Sequence, residues 1–159
     1  MSKAIGVICI LVGSVYLIIG QVRKKQQELS LQQSLITAMR AIESSIRWKG
    51  QVLPICIKEQ ESRKHCGIYF KKIAQLLESG FTLQSAWENA FQTLPEDTKA
   101  VLLQMEWEGD ENHLLGNLQC MTQALTVVYG QQKEQQHSEE KLLVAAIGSA
   151  TGLLIIILL

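Results

Sequence analysis

The sequence predicts an all-α protein: a small bundle of six helices flanked by an N-terminal and a C-terminal transmembrane helix. Residues 4–22 and 142–159 are apolar and carry no charge. All fifteen acidic residues and fourteen of the fifteen Lys and Arg lie between them, in residues 23–141. In this middle segment apolar residues recur at three- and four-residue steps without sustained alternation, which indicates helices. The predicted parts are therefore a tip (1–3), a first span, a cytoplasmic helical domain and a second span.

Both apolar segments have the length of a membrane span. Residues 4–22 can cross a bilayer as a helix. A cleaved signal peptide is the alternative, but the sequence after Leu17 lacks the small-x-small cleavage motif. Residues 142–159 extend about 27 Å as a helix, enough for a bilayer core. A buried core helix is the alternative there, although no charged residue gives the segment a solvent-facing side.

The basic residues near the spans predict the orientation of the chain. Residues 23–25 are all basic and follow the first span, whereas Lys133 and Lys141 precede the second. Lys3 is the one basic residue outside this region. Because Lys and Arg near span ends stay cytoplasmic, we expect a cytoplasmic domain with both termini across the membrane.

An apolar stripe and a glycine predict the first two helices of the domain. The stripe consists of Leu31, Leu35, Met39, Ile42 and Ile46. We expect its helix to continue straight out of the first span and to end at Gly50. A short second helix follows, in which Pro54 fits only the first turn.

The third and fourth helices flank Gly80, which is well placed to end the third helix in a left-handed conformation. A polar loop ending at Gly67 precedes the third helix, and Thr82 is placed to cap the fourth. The apolar residues of the third helix are Tyr69, Ile73, Leu76 and Leu77. Those of the fourth give the clearest amphipathic pattern in the chain and are Leu83, Ala86, Trp87, Ala90, Phe91 and Leu94.

The fifth and sixth helices complete the domain. Pro95 and the two acids after it open the fifth helix in its first turn, and Gly109 is expected to end it. Asp110 is placed to cap the sixth helix. Its stripe suits packing along another helix and consists of Leu114, Leu118, Met121, Leu125 and Val128. The helix-forming polar residues beyond predict one rod into the second span, with Gly130 as its weak point.

Two glycine-centred hairpins share a pattern. Gly50-x-x-Leu53-x-x-Cys56-Ile57 aligns with Gly80-x-x-Leu83-x-x-Ala86-Trp87. Two related hairpins would explain the match, and chance similarity between amphipathic hairpins is the alternative. The residues expected to shape the hairpins are Gly50, Leu53, Gly80, Leu83, Ala86 and Trp87.

The charge is segregated along the domain. Residues 23–72 hold eleven basic and four acidic residues, a net charge of +7. Residues 73–141 hold three basic and eleven acidic residues, a net charge of −8. Either the two halves pack together and cancel, or each presents its own surface to a different partner.

The sequence contains no constellation that predicts catalysis, metal binding or cofactor binding. It lacks a phosphate-binding glycine loop, paired histidines on one helix face and a nucleophile elbow. Cys66 beside His65 is the one adjacent pair with nucleophilic side chains, and no third group is evident to orient it. The basic half could contact nucleic acid, but its basic residues are not interleaved with aromatic ones, so nucleic acid is not expected as a partner. Without a catalytic constellation, no small-molecule substrate is expected either.

Glycines mark one face of each predicted span. Gly6, Gly13 and Gly20 are seven residues apart and therefore share a face of the first helix. Gly148 and Gly152 form a G-x-x-x-G motif in the second. Since helices in lipid associate through small residues, these faces are expected to pack against another span, either of this chain or of a partner. The alternative is that glycine is simply common in membrane helices.

Several motifs together match a known family. They are residues 42–54, ending in Gly50-x-x-Leu53-Pro54, then Gly80-x-x-Leu83-x-x-Ala86, the turn Gly109-Asp110-Glu111 and the final apolar block 142–159. In this order they resemble the stage III sporulation protein AB family of endospore-forming bacteria. That family commonly has Tyr-Gly before the Leu-Pro, where this chain has Trp48-Lys49-Gly50.

The resemblance implies a place in a molecular assembly. The family's soluble domain is similar to the cytoplasmic domain of the type II secretion F protein, a membrane platform component. Its members belong to a channel-like complex between mother cell and forespore, in the outer forespore membrane, with the domain in the mother-cell cytoplasm. The implied partners are the membrane, the cytoplasmic ATPase of the complex and its other membrane subunits, and a homo-oligomer is compatible with this role.

The predicted function is therefore non-enzymatic assembly, as a platform subunit of a secretion-like sporulation complex. One alternative is a membrane-anchored regulatory adaptor that recruits a soluble partner outside sporulation. Another is a small membrane enzyme that uses Cys66 and His65.

Overall fold

The computed structural model describes residues 2–107 and 109–158, and side chains from 12 to 150 except 14, 17–18, 108, 144 and 147–148. The described residues form six helices and no strand. The helices are α1 (Ser2–Lys49), α2 (Leu53–Glu59), α3 (Gly67–Glu78), α4 (Leu83–Phe91), α5 (Glu96–Leu103) and α6 (Glu111–Leu158). The all-α prediction with six helices is confirmed.

Helices α1 and α6 are far longer than the others. Each has 48 residues, which corresponds to a rod of roughly 72 Å. Both run without a break through the predicted boundaries at 22/23 and 141/142, and α6 also continues through Gly130. Within the described residues, none of the helices combines the length and the apolar character that crossing a membrane requires. The two spans therefore stay predictions.

The two long helices are antiparallel. Lys25 pairs with Glu139, Gln32 donates to Gln132 at 2.9 Å and Gln119 donates to Glu43 at 2.8 Å, so numbers fall along α6 as they rise along α1. The start of α1 in the domain and the end of α6 consequently lie at the same end of the bundle. We call this the proximal end (residues 23 and 141), and we call the opposite end the distal end (residues 50 and 111).

The predicted apolar stripes of α1 and α6 form the centre of the hydrophobic core. The α1 residues Leu35, Met39, Ile42 and Ile46 are at most 5% exposed. From α6, Leu118, Met121 and Leu125 are at most 5% exposed as well. The short helices α2 to α5 cover this pair, and the α3–α4 hairpin supplies the aromatic side chains.

Two local predictions were wrong. The fifth helix ends at Leu103 rather than at Gly109. Beyond Leu103 the chain is non-helical, because Met105 is buried and Trp107 packs against the core. The Asn117 amide holds this segment by donating to the Glu106 carbonyl oxygen at 3.1 Å. Pro95 is the N-cap of α5 and lies just before its first turn, whereas Glu96 and Asp97 lie within that turn as predicted.

Candidate interaction surfaces

The two glycine hairpins have closely similar backbones. Gly50 and Gly80 both adopt positive φ, +59° and +88°, which favours glycine at each position. Each is followed two residues later by an extended N-cap, Val52 or Thr82, and Thr82 caps α4 as predicted. Gly80 closes a Schellman motif, in which the N–H of Phe81 donates to the Leu76 carbonyl at 3.1 Å.

The side chains after the two glycines are also equivalent. Leu53 and Leu83 are both half-buried. The four residues at the aligned core positions have no exposed surface and are Cys56, Ile57, Ala86 and Trp87. The two hairpins therefore share the same burial at their aligned positions, as amphipathic hairpins with the same apolar spacing do.

Trp87 is the centre of the aromatic part of the core. Its indole N–H donates to the Leu102 carbonyl oxygen at 2.8 Å and so joins α4 to α5. Its ring lies edge-on to Phe91, Trp107 and Phe70, with centroid distances of 4.6, 4.5 and 6.4 Å. This cluster packs the α3–α4 hairpin against the segment after α5.

The first hairpin exposes an apolar surface at the distal end. Trp48 is 79% exposed, Val52 65% and Ile55 50%, and all three lie within residues 48–55 around the Gly50 turn. We call these three residues the exposed tip. The tryptophans of the two hairpins differ in exposure, since Trp87 is buried and Trp48 faces solvent. Contiguous exposed apolar side chains are typical of interaction sites.

A groove lies between α5 and α6. It encloses about 260 Å³, and its apolar lining is Val101, Met105, Met121 and Ala124. Glu106, Asn117 and the exposed Cys120 also line it. We call it the α5–α6 groove. Sequence reasoning missed it because its lining comes from two helices and from the non-helical segment that follows α5.

Direct ion pairs do not cancel the two charged halves. Among the described residues, Lys25–Glu139 and Lys58–Glu78 join the halves. The pairs Arg47–Glu43 and Lys99–Glu96 lie within one half each. Three of the eleven basic residues of the first half therefore take part in these pairs. The two halves therefore pack together through α1 and α6, while most of their charged side chains lie outside these ion pairs.

The proximal part of the bundle is held by polar contacts instead of apolar ones. Gln32 is 2% exposed, and its amide donates to Thr98 Oγ1 at 2.7 Å and to Gln132 Oε1 at 2.9 Å. Nearer the predicted membrane, the hydrogen bond from Lys25 lowers the pKa of the Glu139 carboxyl. This contact therefore persists through the ordinary carboxyl range and is lost only at lower pH, where Glu139 becomes protonated.

The glycine face of the first predicted span is open. A Cβ built on Gly13 or Gly20 would meet nothing within 4 Å among the described residues. Neighbouring Val12 and Tyr16 are strongly exposed. Gly6, Gly148 and Gly152 lie outside the residues whose side chains are described. The described part of this face is therefore available to another helix.

The Cys66–His65 pair has the geometry of a structural contact. Cys66 is fully buried, its Sγ lies 3.0 Å from Ser34 Oγ, and burial raises the pKa of its thiol. His65 is exposed and adopts a positive φ of +69°. Burial and a raised pKa both disfavour the reactive thiolate at Cys66. Within the described ranges, no cluster of three His, Cys, Asp or Glu side chains could hold a metal ion.

Together these features define a helical domain whose core is carried on two long antiparallel helices and which exposes apolar and charged side chains. The chain belongs to the stage III sporulation protein AB family, whose model matches residues 3–159. No curated protein and no solved structure matches the chain significantly. Family membership gives the protein a role in sporulation.

Proposed function

We propose that the protein is a non-enzymatic membrane platform subunit of a secretion-like channel complex between mother cell and forespore. The observation that carries this proposal is the antiparallel pair α1 and α6. Both helices continue unbroken from the predicted spans into the domain, and both reach its proximal end. Such a pair supports one rigid body on one side of a membrane, with its surfaces turned toward partners.

In this proposal residues 4–22 and 142–159 cross the outer forespore membrane. The domain, residues 23–141, then lies in the mother-cell cytoplasm and acts in the manner of the type II secretion F platform. Its basic residues at the proximal end support this orientation. The domain offers its distal surfaces to cytoplasmic subunits such as the ATPase of the complex. The open glycine face at Gly13 and Gly20 supports packing against the spans of other membrane subunits.

Accessibility of the native Cys120 tests the topology. Cys120 is exposed, whereas Cys56 and Cys66 are buried. In a variant with Cys9→Ser and Trp48→Ala, which removes the large exposed apolar side chain that could cover the groove at Cys120, we expect an impermeant maleimide to label Cys120 in inverted membrane vesicles and not in right-side-out vesicles. A matched variant, Ser2→Cys with Cys9→Ser and Cys120→Ser, should show the opposite pattern. Labelling of Cys120 from the outside would refute the proposed topology.

Co-purification from sporulating cells tests the function. We expect the full chain, solubilised in mild detergent and carrying an affinity tag at residue 1, to retain a cytoplasmic ATPase and multi-span membrane proteins produced during sporulation. The same purification from vegetative cells expressing the tagged chain is the control and should not yield these proteins. Retention of an unrelated soluble protein in both preparations would instead favour the adaptor alternative.

A further inference from the structure

We propose that copies of this chain assemble side by side in one membrane, with the exposed tip of one copy seated in the α5–α6 groove of the next. This inference rests on the proposed anchoring by two spans, and it adds a partner to that function: a second copy of the same chain. It follows from the shape, charge and position of two surfaces that the fold leaves uncovered.

The two surfaces match in apolar character. The exposed tip projects three apolar side chains, each at least 50% exposed, and one of them is a tryptophan. Tryptophan is among the residues that dominate binding energy when a partner covers them. The α5–α6 groove offers an apolar lining from Val101, Met105, Met121 and Ala124. A projecting apolar surface and an apolar recess are therefore present on the same molecule.

The two surfaces carry opposite charge. Arg47, Lys49 and Lys58 flank the exposed tip in sequence. Glu106 lines the groove, and Asp110 and Glu111 follow it at the start of α6. Because Arg47 already pairs with Glu43 and Lys58 with Glu78, Lys49 is the base of this group that these ion pairs leave free, and its attraction to Glu106 favours this orientation over a tip-to-tip contact.

The tip cannot fill the groove of its own copy. On α6, Gln119, Thr122 and Thr126 line the cleft shared with α1. Asn117, Met121 and Ala124 line the groove shared with α5. At about 100° per residue these two sets lie on nearly opposite flanks of α6. Since the tip begins at the end of α1, α6 separates it from the groove, and the occupant must come from another molecule.

The two surfaces lie at comparable heights above the proximal end. Trp48 is 25 residues beyond Arg23 on α1, roughly 38 Å. The groove residues 117–124 precede Lys141 on α6 by 17 to 24 residues, about 26 to 36 Å. Copies anchored in one bilayer with the same orientation can therefore meet tip to groove. When two copies join in this way, one tip and one groove of the pair stay unoccupied. The contact can therefore repeat, and it generates a row or a ring.

Disulfide trapping in membranes tests the proposal, because Cys120 already lines the groove. The variant is the full chain with Val52→Cys and Cys9→Ser, which leaves Trp48 in place. Cys56 and Cys66 are fully buried and do not compete. After mild oxidation of membranes, we expect a ladder of disulfide-linked dimers, trimers and larger species on a non-reducing gel.

Two controls make the result specific. Adding Cys120→Ser should abolish the ladder. Moving the new cysteine from Val52 to Val127, a valine of similar exposure in the α1–α6 cleft, should also give no ladder. A product that stops at the dimer and survives Cys120→Ser would reveal a tip-to-tip contact and overturn the proposal.

Two further variants test the binding energy and the charges. Trp48→Ala should weaken self-association of the full chain in detergent by roughly 30-fold or more. Lys49→Glu and Glu106→Lys should each weaken it, and the double variant should restore it. Unchanged association in all of these variants would refute the proposed contact.

The outcome also separates this inference from the platform function. Absence of a ladder, with Cys120 labelled from the cytoplasmic side as expected, refutes self-assembly and leaves the platform function standing. The proposal would also be overturned by a labelling result in the Val52→Cys variant. That result is protection of both the introduced thiol and Cys120 from a maleimide only when a different subunit is co-expressed. That subunit, and not a second copy, would then cover the two surfaces.

Discussion

Replacement of Trp87 by alanine is expected to lower the free energy of unfolding by about 4 kcal/mol. The side chain has no exposed surface, and its ring is enclosed by Phe70, Phe91 and Trp107. Alanine would leave a cavity that the surrounding helices cannot close without moving. It would also leave the Leu102 carbonyl oxygen without the hydrogen bond that it now accepts from the indole N–H. Such a loss is a large fraction of the stability of a typical domain.

Thermal unfolding of the full chain in detergent, followed by near-UV circular dichroism, measures this effect. We expect the midpoint to fall by roughly 10–20 °C. Trp48→Ala is the matched control, because Trp48 is 79% exposed and its loss should leave the midpoint nearly unchanged. Trp87→Phe keeps an aromatic ring but removes the N–H, and it should lie between the two. Equal effects of the two alanine variants would contradict the central role of Trp87.

Replacement of Gly67 by alanine should cost about 3 kcal/mol for a different reason. A Cβ at this position would overlap the carbonyl oxygen of Glu61 and lie 3.0 Å from its carbonyl carbon. These are backbone atoms, which cannot rotate away as a flexible side chain can. The loop between α2 and α3 is also fixed to α1, since Ser34 Oγ donates to the Lys64 carbonyl oxygen at 2.5 Å. Relief of the clash must therefore displace the start of α3.

Gly116→Ala is the control for this substitution. Gly116 lies within α6, and an added Cβ there meets nothing within 4 Å. Alanine should therefore stabilise the helix by about 0.5–1 kcal/mol. The same unfolding measurement should show opposite signs for the two variants, and a stabilised Gly67→Ala variant would disprove the close approach at Glu61.

The helices themselves could be predicted from the sequence because their signals are local. The α1 stripe of Leu35, Met39 and Ile42 and the cap of α4 at Thr82 both depend on neighbours in the chain. Helix propensity also correctly extended α6 through Gly130. Each of these features is specified within a few residues, which is the range over which sequence patterns are informative.

Features created by contacts between distant residues were not predictable in this way. Gly67 was expected only to end a loop, and its real constraint is the carbonyl oxygen of Glu61. Gln32 lies in a polar stretch that suggests exposure, yet it is buried, and its amide N–H groups donate to Thr98 and Gln132 from distant parts of the chain. The early end of α5 likewise depends on Trp107 packing against Trp87.

The candidate surfaces also differ in whether the sequence alone predicts them. Charge segregation is visible in the sequence, and the glycines of the two hairpins are visible as a repeat. Whether Trp48 is buried or exposed depends on how α1 meets the other helices, so its pattern left both roles open. The α5–α6 groove has no sequence signal at all, because it exists only once Met105 and Met121 lie side by side across two elements.

The unbroken course of α1 and α6 gives the protein a mechanical property. A continuous helix is stiff, and in the proposed membrane arrangement it would pivot at the bilayer surface. A change of about 10° in the tilt of α1 would carry Trp48 sideways by roughly 7 Å over the 38 Å beyond Arg23. Movement of a neighbouring span against Gly13 and Gly20 would therefore displace the distal end of the domain without refolding α1.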